Sequence, residues 1–110
     1  MTGPIYMRAR RDKAEPCIVE VFRDAGCSVE FLSGAGLPDL AVGWNGVTHL
    51  VEVKSGPKAK LTDEQVEWHA AWQGEPVQIA RSAEEAAHLV HVWRTAAAVQ
   101  RERDRKVGIL

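Results

Sequence analysis

The dipeptide Asn45-Gly46, set between two runs of strand-forming residues, constrains this chain more than any other feature. Asn-Gly is the strongest short signal for a two-residue type I′ hairpin, because both positions tolerate positive φ. The run before it, residues 38–44, is apolar with small residues; the run after it, residues 47–54, is rich in β-branched ones. A turn at this point pairs Trp44 with Val47 and, counting outward, Asp39 with Glu52. Directly opposed residues share a face, with Cβ atoms about 4.5–5.5 Å apart. Lys54 shares that face because strand side chains alternate. Two opposed carboxylates in an apolar hairpin repel unless something positive lies between them. A divalent metal beside a lysine meets that need.

The pattern around this trio extends in both directions. Ser33-Gly34-Ala35-Gly36-Leu37-Pro38-Asp39 leads in, Leu50-Val51-Glu52-Val53-Lys54 follows the turn, and Leu61-Thr62-Asp63-Glu64-Gln65 with Trp68 comes after a loop. Together they resemble the PD-(D/E)XK nuclease superfamily, and within it the small VRR-NUC domains of phages and bacteria. The resemblance covers roughly residues 12–82. It implies a restriction-endonuclease-like α/β fold, a mixed β-sheet flanked by helices. It also implies Mg²⁺ or Mn²⁺ on Asp39, Glu52 and the backbone carbonyl of Val53, with Lys54 orienting or activating water. Hard cations of this kind take oxygen ligands.

Local pattern supports the same element order, α-β-β-β-α-β-α. A first helix is expected from near Asp12 to about Ala25, ended by Gly26, with Ile18, Val19 and Phe22 on its apolar stripe. Residues 27–32 alternate as a short strand. Ser33 and Gly34 open a tight loop that lets backbone or phosphate approach. Thr62 is an N-cap in a capping-box pattern with Gln65, opening a helix that stops near Gly74. Residues 76–80 read as a last core strand. Ser82-Ala83-Glu84-Glu85 is a second capping box, opening a C-terminal helix over residues 83–106. The whole chain, 1–110, reads as one nuclease domain with its motif-bearing core at 12–82.

Several residues carry two readings. Glu15 shares the inward face of the first helix, and related nucleases often place a helix glutamate near the metal; Asp12-Lys13-Ala14-Glu15 is equally a helix cap. Gln65 is the N3 member of its capping box, whereas the resembling family turns a glutamine here towards scissile phosphate or water. Lys58 and Lys60 suit phosphate contact as the loop leaves the active strand, or simply solubility. Trp68 and Trp72, spaced i, i+4, read as core packing. His69 reads as a partly exposed polar residue beside them.

Bulk properties set the outer limits. At 110 residues, with 45% hydrophobic and 26% charged residues, the chain suits one globular domain. The net charge of −1 excludes a generic basic DNA coat but leaves local patches to set contacts. Three basic clusters stand out: Arg8, Arg10, Arg11 and Lys13; Lys54, Lys58 and Lys60; and Arg101, Arg103, Arg105 and Lys106. Glu102 and Asp104 interleave the last, which reads as a solvated helix end. No apolar run reaches the roughly 20 residues of a membrane span. Two cysteines without metal spacing, Cys17 and Cys27, read as buried free thiols, and a cytoplasmic setting in a bacterial or phage-infected cell is expected.

The function expected is a metal-dependent endonuclease. The resemblance implies branched DNA, of Holliday-junction or flap type, and a homodimer. A sequence-specific restriction-type enzyme, a non-catalytic DNA-binding accessory module and a structural domain with coincidental charges are the rivals.

Overall fold

The computed structural model describes residues 11–108; Arg8 and Arg10 of the first basic cluster, with Ile109 and Leu110, lie outside them. Helix α1 spans Glu15–Asp24, strand β1 Ser28–Phe31, β2 Leu40–Trp44, β3 Val47–Val53, helix α2 Asp63–Ala71, strand β4 Gln78–Ala80 and helix α3 Ala83–Lys106. The order matches the sequence reading. The strands form one sheet, β1-β2-β3-β4, antiparallel except where β4 joins β3 in parallel.

The hairpin forms in the expected register. Trp44 pairs with Val47 and the ladder runs out to Leu40 opposite Val51, which leaves Asp39 and Glu52 next in line. Asn45 and Gly46 take φ of 53° and 78°, the left-handed pair that a type I′ turn requires.

One face of the sheet makes the core. Val29, Leu40, Val42, Val51, Val53 and Ala80 pack against Ile18, Val19 and Phe22 of α1 and Ala86, Val90 and Trp93 of α3. His49 points to this face, where its ring stacks on Trp93 at 3.9 Å and its Nδ1 lies 2.7 Å from Glu75 Oε1. It is a buried histidine with its polar need met. The alternate residues, including Glu52, face the other side.

Five local expectations are corrected. Helix α1 starts at Glu15 rather than near Asp12, because Pro16 belongs in a first turn; Ala14 is its N-cap, without a side-chain bond. The Asp12–Glu15 cap does not form as such: Asp12 takes Ala14 N–H and reaches Ser55, while Glu15 pairs elsewhere. At α3, Ser82 caps Glu85 N–H, but Glu85 answers to Arg81 N–H, one residue early. Helix α2 ends at Ala71 and buries no residue, so Trp68 and Trp72 are not core. They stack on each other at 5.0 Å, with Trp72 44% exposed. Of the two free cysteines Cys27 is buried and Cys17 exposed.

Among the described residues no helix is long and apolar enough to cross a membrane.

Candidate active site

The hairpin delivers two carboxylates to one point. Asp39 sits just before β2, where its carbonyl accepts from Leu32 N–H at 2.8 Å, and its Oδ2 accepts from Val53 N–H at 2.7 Å. That bond fixes the Asp39 carboxylate against the β3 backbone beside Glu52. Glu52 is 1% exposed. Burial, then the Asp39 carboxylate, push its pKa up to about 9 against an ordinary 4.5. The Lys54 charge pulls the other way and loses, because desolvation penalises the ionised form first. Without a cation this carboxyl is a proton holder.

Helix α2 closes the site from the far side through Gln65. Its Oε1 accepts from both Thr62 N–H at 2.9 Å and Lys54 Nζ at 2.8 Å, and its Nε2 donates to Glu52 Oε2 at 2.9 Å. Thr62 Oγ1 accepts from Gln65 N–H in return, completing the capping box. The cap and the site contacts coexist, since one amide oxygen has two lone pairs and the nitrogen has protons to spare. Gln65 therefore locks the helix start and the active strand together.

The approach loop is shaped to let α2 come this close. At Gly36, φ is +77° and a Cβ would stand 2.7 Å from the Glu64 carbonyl oxygen. The small residue serves a backbone approach, that of α2 itself. Ser33 and Gly34 line, with Asp39 and Gln65, a cleft of about 260 Å³ over the site.

Glu15 is 4% exposed, and Arg11 grips both its oxygens, Nε to Oε1 at 2.5 Å and Nη2 to Oε2 at 2.9 Å. The same guanidinium donates to the carbonyls of Leu32 and Asp39, at 3.3 and 3.1 Å. Glu15 thus reaches the Asp39 backbone through Arg11. Lys58 and Lys60 stand exposed on the loop from β3 to α2, which Arg81 braces by donating to the carbonyls of Gly56 and Ala59.

A solved structure described as a VRR-NUC domain is similar to this chain with a TM-score of 0.64 and 28% sequence identity, covering 72% of this chain and 91% of that one. In fold this chain is similar to a VRR-NUC domain. The sequence matches no protein-family model and no curated protein. A VRR-NUC domain is nuclease-type, and here Glu52, Gln65 and Lys54 form one connected hydrogen-bond network, with Asp39 bonded to the same strand at Val53.

Three residues that the structure brings to this point were missed in the sequence. Arg11 stands four residues before Glu15, an i, i+4 ion-pair spacing that was open to reading. Asp12 accepts from the backbone N–H and the hydroxyl of Ser55, joining the start of α1 to the exit of β3; a separation of 43 residues gives no local signal. His69, one helical turn beyond Gln65, is turned inward, its Nε2 3.7 Å from Glu52 Oε1. Burial and Lys54 lower its pKa. The i, i+4 spacing from Gln65 was the available clue.

Proposed function

We propose that the protein is a metal-dependent DNA endonuclease acting on branched DNA of the four-way-junction or flap type. The observation that carries it is the unpartnered, buried Oε1 of Glu52, beside a second carboxylate and a tethered lysine. A buried carboxylate oxygen without a donor costs about 1–3 kcal/mol, and a hard divalent ion relieves both that and the Asp39–Glu52 repulsion. Two carboxylates suffice for Mg²⁺ or Mn²⁺, which keep several waters. Asp39, Glu52 and the Val53 carbonyl would hold the ion, with Glu15 supporting through Arg11. When bound, the ion supplies charge to the phosphoryl oxygens and makes a bound water more acidic.

The chain's own groups do the rest. Gln65 holds Lys54 Nζ where it orients the attacking water and offers positive charge to the transition state. Ser33 and Gly34 give the phosphate backbone a close approach, and Lys58 and Lys60 grip it from the loop. With little surface for base readout in one small domain, selectivity falls to DNA shape. A homodimer suits paired cuts in a four-way junction, and the exposed outer stripe of α3 supports it. A cytoplasmic setting follows from the same reading.

Labelled four-way junction, flap, single-stranded and linear duplex DNA, each with Mg²⁺ or Mn²⁺ and an Asp39→Ala control, test this. Cleavage of the branched forms alone, lost in the control, is expected. Defined fragments from plain duplex would instead favour a restriction-type enzyme, and binding without cutting an accessory module.

A further inference from the structure

Helix α2 addresses both oxygens of Glu52, not one. Gln65 and His69 are four residues apart and share a helix face. Gln65 Nε2 holds Oε2 at 2.9 Å, while His69 Nε2 stands 3.7 Å from Oε1. Both of those last atoms are buried and neither has a hydrogen-bond partner. The gap is too long for an N–H···O bond, which runs about 2.7–3.2 Å. It is short enough to be spanned by one ion bound at about 2.0–2.1 Å from each atom, the usual length for imidazole nitrogen and carboxylate oxygen on a small divalent cation. A cation between them satisfies two orphaned atoms at once. A proton does so only if the side chains close up by half an ångström or more, to about 3.2 Å.

We infer that His69 Nε2 is a ligand of the same divalent ion that Asp39 and Glu52 hold, and tilts the site from Mg²⁺ towards nitrogen-accepting ions such as Mn²⁺. The inference rests on the metal-dependent reading and deepens it. Among the described residues no three His, Cys, Asp or Glu side chains stand in a ready ligating cluster, so ligation by Asp39, Glu52 and His69 together requires their side chains to move on binding. Imidazole favours first-row transition ions, whereas carboxylate, carbonyl and water suit Mg²⁺, and one nitrogen in the set is enough to separate them. Helix α2 supplies it from the turn after Gln65, so the residue that positions Lys54 and the nitrogen ligand travel on one rigid element.

The test is pulsed EPR and calorimetry on the full chain with Mn²⁺, repeated with histidine labelled in ¹⁵N. The expected spectrum shows coupling from a directly bound histidine nitrogen, which changes isotope pattern on labelling and vanishes in His69→Gln. In that variant Mn²⁺ affinity falls by about tenfold or more, the scale on which metal sites respond to a lost supporting group, while Mg²⁺ affinity moves far less. The wild-type spectrum decides without any variant, so a folding defect in His69→Gln does not cloud the result. Mn²⁺ bound with no nitrogen coupling overturns the His69 assignment and leaves the carboxylate site standing. No Mn²⁺ or Mg²⁺ binding by the wild-type chain overturns the metal-dependent reading and this inference with it.

Discussion

Glu52 is the residue on which the site's energetics turn. In the folded chain it keeps its proton up to about pH 9, against an ordinary 4.5, because burial and Asp39 disfavour the charge. The folded state therefore binds more protons than the unfolded one across that window, and stability without metal falls as pH rises through it. His69 shifts downward, which adds an opposite slope only on the acid side, below its ordinary 6.5. Between pH 7 and 8 the Glu52 slope dominates, and towards pH 9 the buried Cys27 thiol, held above its ordinary 9.0, adds a slope of the same sign. Thermal melts in chelator should lose several degrees over that range, since about 1 kcal/mol moves Tm by roughly 4–8 °C in a domain this small. Glu52→Gln should flatten the slope and raise Tm at pH 8–9 while abolishing cleavage; a slope that survives the substitution assigns it to another group. The opposition of Asp39 and Glu52 was legible in the sequence because a two-residue turn fixes register. The double duty of Gln65 was not, since both roles use one amide and only the approach of α2 shows that they are compatible.

Elements succeed or fail here by how close α2 comes to the hairpin. The hairpin is locally encoded, by the positive φ at Asn45 and Gly46, and it formed as read. The fate of α2 was not locally encoded. Two tryptophans on one helix stripe usually mean core, but α1 and α3 already fill the apolar face of the sheet, so α2 falls to the side that carries Glu52 and buries nothing of its own. Its position depends instead on the capping box, on Gln65 and on the loop glycine beneath it. Gly36→Ala tests this directly. Its Cβ would meet the Glu64 carbonyl at 2.7 Å, and its φ of +77° adds about 1–2 kcal/mol of strain. The expected outcome is a displaced α2: cleavage falls by more than tenfold through Lys54 and Gln65 losing register, with the hairpin and core still folded by circular dichroism. Gly46→Ala, where no neighbour lies within 4 Å, should cost only the backbone strain and leave the rate on folded protein near wild type. Equal losses of activity in the two variants would mean that α2 is not held by that glycine contact.

At the scale of the whole molecule, α3 is longer than the body it packs on. Its buried residues, Ala86, Val90 and Trp93, all lie in the first half of its 24 residues, and the molecule extends 57 Å along one axis against 30 and 29 Å across. Val92 near the middle of the helix and Val99 in its second half lie on an exposed stripe, at 44% and 45% exposure. Exposed valines seven residues apart on an unburied helix make a narrow seam of the kind that two helices share. The charges favour an antiparallel pairing, with Glu84 and Glu85 in the first turn and Arg103, Arg105 and Lys106 in the last. A two-fold arrangement sets each acidic end beside its partner's basic end. The dimer proposed for paired cutting then predicts that light scattering gives twice the chain mass, and that Val92→Glu with Val99→Glu gives the monomer. Because neither valine belongs to the buried core, the monomer should keep its melting cooperativity and its single-site chemistry. Its loss should appear in the coordinated second cut of a four-way junction, read as nicked intermediate accumulating on a supercoiled cruciform. A wild-type monomer in solution would remove α3 as the dimer seam, while the active-site geometry, which lies within one chain, would stand.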